Sequence, residues 1–244
     1  MINVGVSAGF HDAASTTLNG KEIIFANHCE RYSQIKGDPN FDDYVLPMHY
    51  DNIAFYEKPF LKNTRRLFAG QRMKWPNKKY DYYFGHHETH AAAGYYTSPF
   101  NECNVLVVDA IGEWNTISIW EGKDNKLKKL KTWNYPYSLG LLYSAITRRI
   151  GLKPNEDEYI TMGMAAFGEP KYDLEYLLHK NNHRGVGKIF PRAHPNDLAA
   201  SVQNLYETKF LELLKYCEYS NIVIMGGCAL NCVANSKIPD RFNI

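Results

Sequence analysis

Apolar positions recur along this chain with two periods, near 2 and near 3.6. Ile2–Ser7 is an apolar-rich run, and two further extended runs, 13–18 and 22–26, flank Asn19-Gly20. Asn-Gly between extended runs predicts a hairpin closed by a type I′ turn, which needs φ > 0 at both central residues. The chain therefore opens as a β-meander, with Gly9, His11 and Asp12 in the turn between its first two strands. Residues 105–109 form a continuous apolar run ending in an acid, the pattern of a buried strand, and 116–120 is its expected hairpin partner. Helical spacing predicts helices over 60–69, 139–150 and 198–217, the last with Leu205, Phe210, Leu213 and Leu214 on one stripe. Ile222–Met225 reads as another buried strand, entering Gly226-Gly227, and a helix is expected to start within 231–236. Pro76, Asn77 and Gly85 bound a loop, and no sequence repeat is present. The expected class is mixed α/β in two lobes, about 1–104 and 105–244. A last strand ordinarily needs a neighbour and a covering helix, so the fold is expected to be C-terminally incomplete.

Composition narrows the function classes. With 45% hydrophobic residues, 12 Phe and 18 Tyr, the 244-residue chain has enough apolar surface for a packed core, which excludes a disordered polypeptide. Lys+Arg 28 against Asp+Glu 26 leaves a net charge of +2, no global nucleic-acid signature. Apolar runs such as 105–108 are far too short to span a bilayer, and the first residues carry no basic, apolar leader pattern. Five cysteines, an odd number, fit reduced thiols better than a disulfide framework. A cytoplasmic location is the expectation.

The most specific local chemistry is Gly85-His86-His87-Glu88-Thr89-His90-Ala91-Ala92-Ala93. On a helix, His86 and His90 share one face one turn apart, close enough to hold one metal ion. Asp109, ending the buried strand, is a sensible third ligand, and two imidazoles with oxygen donors suit iron, zinc or manganese. A helix start with surface histidines gives the same pattern. The metalloprotease helix is excluded, because four residues after His87 stands Ala91. Asp109-Ala110-Ile111-Gly112-Glu113-Trp114 follows a strand, where a glycine permits close approach to phosphate or metal, or simply closes a hairpin. Met162-Gly163-Met164-Ala165-Ala166-Phe167-Gly168 either lines a ligand cleft or packs a helix on a sheet. Gly226-Gly227-Cys228-Ala229-Leu230-Asn231 is strand, double glycine, then helix, an arrangement that offers N–H groups to a nucleotide, with Asn231 available to a ribose or base. Cys228 and Cys232 read as buried small residues rather than ligands. Residues 58–79 carry eight Lys and Arg and no acid, interleaved with Phe60, Phe68 and Trp75. They suit a phosphate route or a solvated face, and with the balanced net charge DNA is the less favoured partner.

The motifs His11-Asp12-Ala13-Ala14, Glu30-Arg31-Tyr32-Ser33, Tyr56-Glu57-Lys58-Pro59, His86 to Ala92, Ser98-Pro99-Phe100, Asp109 with Gly112-Glu113-Trp114, Ser138 to Tyr143, Met162-Gly163 with Gly168-Glu169-Pro170, and Gly226 to Asn235 occur in one order. This series resembles the O-carbamoyltransferases related to the nodulation-factor, cephem and tobramycin enzymes, from residue 5 to about 236. The resemblance implies an ASKHA (actin/sugar-kinase/Hsp70-like) domain of the Kae1-like type found in tRNA threonylcarbamoyl transfer. Family members are about twice as long, and a following YrdC-like domain makes carbamoyl-adenylate from carbamoyl phosphate and ATP. The first domain then passes the carbamoyl group to a hydroxyl of a small molecule, sugar or modified nucleotide. Carried over residue by residue, His86, His90 and Asp109 match the metal ligands, with iron expected. His11 matches a histidine at the acceptor site and Lys36 a lysine near the activated carbamoyl group. Gly112, Gly140 and Asn231 fall in nucleotide-contacting motifs. The sequence departs from the pattern in a short segment over 37–58, in Ile160 where lysine is common, and in lacking the Gly-Asp-Ala-Gly-type segment that carries the last metal ligand and the activating domain. A second polypeptide supplying the missing part is therefore expected. The competing readings are a non-catalytic nucleotide-binding subunit and a phosphotransferase, the latter disfavoured because such kinases use carboxylates and Mg²⁺.

Overall fold

The structure, a computed structural model, describes residues 1–244 and divides into two compact units, Met1–Thr89 and His90–Ile244. In the first, β1 (Ile2–Ser7), β2 (Ala14–Asn19) and β3 (Glu22–His28) form an antiparallel meander. A short helix α1 (Glu30–Ser33) follows; β4 (Asn52–Phe55) then pairs parallel to β1, and β5 (Tyr82–Tyr83) parallel to β4. The sheet order is β3-β2-β1-β4-β5, with α2 (Pro59–Phe68) between β4 and β5. Alternation places Val4, Val6, Ile53 and Phe55 in a buried cluster with Ala13, Cys29, Val45 and Tyr80.

The first hairpin forms with a different turn. Asn19 pairs with Glu22, so Gly20-Lys21 is the connection, and of the two only Gly20 has positive φ, at +61°. That is the II′ pattern, with glycine at the first central position, rather than I′. The I′ signature instead falls at Asp124-Asn125 (φ 51° and 57°), a hairpin the hydrophobic pattern did not mark.

The second unit contains most of α3 (His86–Thr97), then β6 (Glu102–Val108), β7 (Asn115–Lys123) and β8 (Lys126–Asn134) as an antiparallel meander. Helices α4 (Leu139–Arg149), α5 (Glu158–Ala165) and α6 (Pro195–Leu213) lead to β9 (Ile222–Met225), parallel to β6, and α7 (Cys232–Asn235). The order β8-β7-β6-β9 repeats the first four positions of the other sheet, a duplication of topology without a repeat of sequence. At the outer edge of β9, Asn243 makes a parallel bridge to Asn221, and Ile222 N–H donates to Asn243 O at 2.8 Å.

The apolar run in β6 is continuous because both faces are covered. Leu106 and Val108 meet Leu142 and Ile146 of α4 and Phe210 of α6; Val105 and Val107 meet Ala91 and Tyr95 of α3. The buried stripe of α6 runs Leu198, Val202, Tyr206, Phe210, Leu213, with Leu205 only flanking it. Strand β8 escaped prediction because its lysines face out, none of its residues being fully buried, the habit of a protected edge strand.

All five cysteines are free; Cys29, Cys103 and Cys217 are buried and Cys232 is exposed, contrary to its sequence reading as a buried small residue. Burial pushes the Cys217 thiol up to about 11. Native-state alkylation at pH 8, followed by mass spectrometry, should therefore modify Cys232 well before Cys217. The same shift has a stability consequence. Unfolded Cys217 ionises near its ordinary value of 9, so its contribution is intact below pH 9 and is lost as pH rises to about 11, a change of roughly 2–3 kcal/mol. Denaturant midpoints that fall across this window, and fall less in Cys217→Ser, check it.

Candidate functional site

Helix α3 begins at His86 because Gly85 stands before it and Glu88, three residues on, accepts from Gly85 N–H at 3.2 Å, one half of a capping box. Glu88 is thereby engaged as a cap. His87 is 1% exposed, whereas His86 and His90 are half-buried one turn apart. Asp109 follows the last residue of β6, and its Oδ2 lies 3.6 Å from His90 Nε2. One ligand atom from each of His86, His90 and Asp109 lies within 4.8 Å of the others. Two imidazoles and a carboxylate at that spacing fit a borderline transition metal. Gly94 lets α3 lie this close to the sheet, since a Cβ there would sit 2.7 Å from Val223 and Met225 side chains.

Three loops of the second unit converge on Asp109. Its Oδ1 accepts from Ala110 N–H at 2.8 Å. Ser138 caps α4 by accepting from Leu141 N–H at 3.0 Å and donates to Ala110 O at 2.6 Å. Gly140 belongs to this seam: a Cβ would lie 2.6 Å from both Ala110 Cα and Cys228 Sγ. Gly226, at φ +95°, would place a Cβ 2.4 Å from Val108 O, and one on Gly227 would stand 3.4 Å from Asp109 Oδ1. Burial, with the Asp109 carboxylate second, holds the Cys228 thiol well above its ordinary value. Gly112 lies in the β6–β7 loop, its N–H donating to Asn115 O at 2.8 Å.

Asn231 is engaged within the fold. Its Oδ1 accepts from Ala234 N–H and Gln203 Nε2, both at 3.0 Å, and its Nδ2 donates to Gln203 Oε1 at 2.9 Å. It thus caps α7 and ties it to α6. The small-residue stretch at 162–168 packs against a helix rather than a sheet, and with Ala200, Gln203 and Glu207 of α6 lines a cavity of about 230 Å³. Gly168 is required there, since a Cβ would lie 2.0 Å from Asn196 O.

In the first unit, the β1–β2 turn is zipped to 37–39 by three backbone bonds: Gly9 N–H to Pro39 O, Asp12 N–H to Gly37 O, and Ala13 N–H to Asp38 O. This brings the segment of Lys36, which is exposed, beside His11-Asp12. Asp12, in the left-handed region at φ 52°, sets one oxygen 2.5 Å from His11 Nδ1 and the other 3.5 Å from His28 Nε2. Glu30 accepts from Gly37 N–H at 2.7 Å. His28 and the orienting role of Asp12 were not singled out from the sequence, because only the β2–β3 pairing of Ala14 with His28 brings them together. From the basic stretch, Lys74 donates to Gly9 O, and desolvation, then Lys62 and Arg66, lower its pKa. Lys62 is buried in an ion pair with Glu57.

Residues 54–190 match the family model for the carbamoyltransferase N-terminus. A relative in Synechocystis sp. that is itself uncharacterized is 30% identical over 318 residues, covering 96% of this chain and 52% of the relative. Nodulation protein NolNO of Sinorhizobium fredii is 27% identical over 183 residues, 64% of this chain and 27% of that protein. The chain spans about half the length of the Synechocystis relative. Among solved structures, the activator of 2-hydroxyisocaproyl-CoA dehydratase from Clostridium difficile with bound ADPNP superposes with a TM-score of 0.59 at 13% identity, covering 98% of this chain and 89% of that one. The fold is the ASKHA type expected from the sequence. No helix is long and apolar enough to cross a membrane.

Proposed function

The chain belongs to the carbamoyltransferase N-terminus family, and from that premise we propose that it performs the acceptor half of an O-carbamoylation. The donor in this reading is carbamoyl-adenylate, made from carbamoyl phosphate and ATP by a further part of the enzyme, on the same or a second polypeptide. The convergence of His86, His90, Asp109 and the Gly226-Gly227 turn carries the reading, since it supplies metal donors and a close-approach backbone together. Those three side chains would hold a transition metal, iron in the first instance, which when bound neutralises phosphate charge and polarises oxygen.

Nitrogen donation into the carbonyl makes a free carbamate unreactive, and adenylation supplies the leaving group. The acceptor hydroxyl oxygen forms the new bond to the carbamoyl carbon as the bond from that carbon to the AMP phosphate oxygen breaks. AMP leaves, and the hydroxyl proton passes to His11. With Nδ1 turned to Asp12, Nε2 is the nitrogen left to take it. Lys36 stabilises the negative charge that develops on the carbamoyl group. Gly112 and Gly227 let backbone approach the nucleotide, and Gly140 and Asn231 act by fixing the loops that present it. The ADPNP in the Clostridium difficile activator supports nucleotide binding by this fold. The acceptor in this reading is a hydroxyl-bearing small molecule, sugar or modified nucleotide.

The test supplies the folded chain with isotope-labelled carbamoyl-adenylate, metal and a panel of hydroxylated acceptors. Labelled carbamate ester formed by wild type and lost in His11→Asn is the expected result. Release of AMP no faster than without protein, from a chain that still binds nucleotide, would leave the non-catalytic nucleotide-binding subunit as the correct reading.

A further inference from the structure

The last turn of α4 and the loop at 184–191 line an open, concave pocket of about 480 Å³, within the size range of small-molecule sites. Its charged lining is Arg148, Arg149, Arg184 and Lys188, and no carboxylate lines it. Several lysines elsewhere in this unit have acid partners, among them Lys153 with Glu156, Lys171 with Glu169 and Asp197, and Lys209 with Glu175, whereas those of the edge strand β8 stand apart on an exposed face. The cavity's cations have none within ion-pair distance.

The frame that holds them is built. Arg149 donates through Nε to Ile189 O and through Nη2 to Phe190 O, both at 2.9 Å, fastening the helix to the far side of the loop. Val186, Ile189 and Phe190 pack against the core, and the Phe190 ring lies 4.6 Å from that of Tyr172. Gly185 and Gly187, at φ +78° and +66°, let the backbone turn back over Arg148. The side chains of Arg148, Arg184 and Lys188 form no hydrogen bond within the chain, so their donors remain for a ligand. Gly140, in the first turn of α4, precedes Arg149 by nine residues, about 13 Å along a helix, so the cavity lies away from the loops around Asp109.

We propose that this cavity binds a small, multiply phosphorylated anion at a site separate from those loops. Arg148, Arg184 and Lys188 are exposed and offer more than one cationic donor to a ligand, which favours pyrophosphate over a single phosphate, and charge-assisted bonds to phosphate are the strongest these donors make. The concave shape, bounded on one side by the anchored loop, fits a small ligand rather than a polynucleotide.

Calorimetric titration of the whole chain tests it, with inorganic pyrophosphate, ATP, adenosine and a DNA duplex as probes. The proteins are wild type, the double variant Arg184→Ala/Lys188→Ala, and the control Lys126→Ala/Lys128→Ala on the exposed edge strand, all with matched melting curves. Saturable pyrophosphate binding that weakens about tenfold or more in the double variant and not in the control is expected. ATP binding equal to pyrophosphate, with none for adenosine, identifies the free phosphates as what is recognised; a tighter ATP affinity lost in the same variant identifies a nucleotide. Absence of saturable pyrophosphate binding, or binding unchanged in the double variant, overturns the site. DNA binding tighter than pyrophosphate and lost in the same variant overturns the small ligand in favour of a nucleic acid.

Discussion

Replacing His90 by alanine is expected to lower transition-metal affinity by about 10²-fold or more, and Asp109→Asn should follow it. The ligand set is small, one donor atom each from His86, His90 and Asp109, so losing one removes a third of the protein's contribution. His90 is the central member, lying one turn from His86 and 3.6 Å from Asp109. Its loss leaves two donors on different elements. The control is His49→Ala, whose ring is 82% exposed and lies outside the cluster. Elemental analysis after dialysis against metal, with competition titration by a chromophoric chelator, gives the answer. Equal metal content and affinity in wild type and His90→Ala would remove the cluster as a metal centre, and with it the metal-assisted part of the proposed chemistry.

The second large effect is structural. Gly226→Ala should destabilise the second unit by about 2–5 kcal/mol, from the cost of a left-handed backbone and from overpacking. At φ +95° the new Cβ would stand 2.4 Å from Val108 O and 2.9 Å from its carbon. Both are backbone atoms of the paired strand β6, so relief requires parting β9 from β6 at the point where Asp109 is held. Metal affinity should fall together with stability. Gly163→Ala is the matched comparison. That glycine lies inside α5 with nothing within 4 Å of a Cβ, and alanine there should raise helix stability by about 0.5–1 kcal/mol. Chemical denaturation of the two variants checks the contrast, and a Gly226→Ala protein as stable as wild type would show that the β6–β9 seam yields at little cost.

Much of this architecture was legible in the residue pattern, for reasons that are local. Strand β1, the Asn-Gly hairpin, the β6–β7 pair and helices α2, α4 and α6 each follow from a period or a turn residue. What failed did so where local rules were outweighed. The Asn19-Gly20 turn shifted by one residue because the Asn19–Glu22 register set the connection. Along the α6 stripe the expected Phe210, Leu213 and Leu214 are buried and only Leu205 stands at the flank, because the neighbours packed on the helix decide where the buried face ends.

The sequence by itself determined that His86 and His90 share one face of α3, since i and i+4 on a helix coincide whatever surrounds them, and it placed glycines where the backbone must come close. Only the tertiary structure decided what those glycines approach. Gly226 meets Val108, Gly140 meets Ala110 and Cys228, and Gly168 meets Asn196, partners 28 to 118 residues away by their numbers. It also decided that Asn231 turns inward to Gln203, that Asp12 holds His11 and faces His28, and that the basic residues of 148–188 gather without acids around one cavity. Such pairings depend on strand register and helix packing across long stretches of chain, which hydrophobic period and residue propensity do not encode.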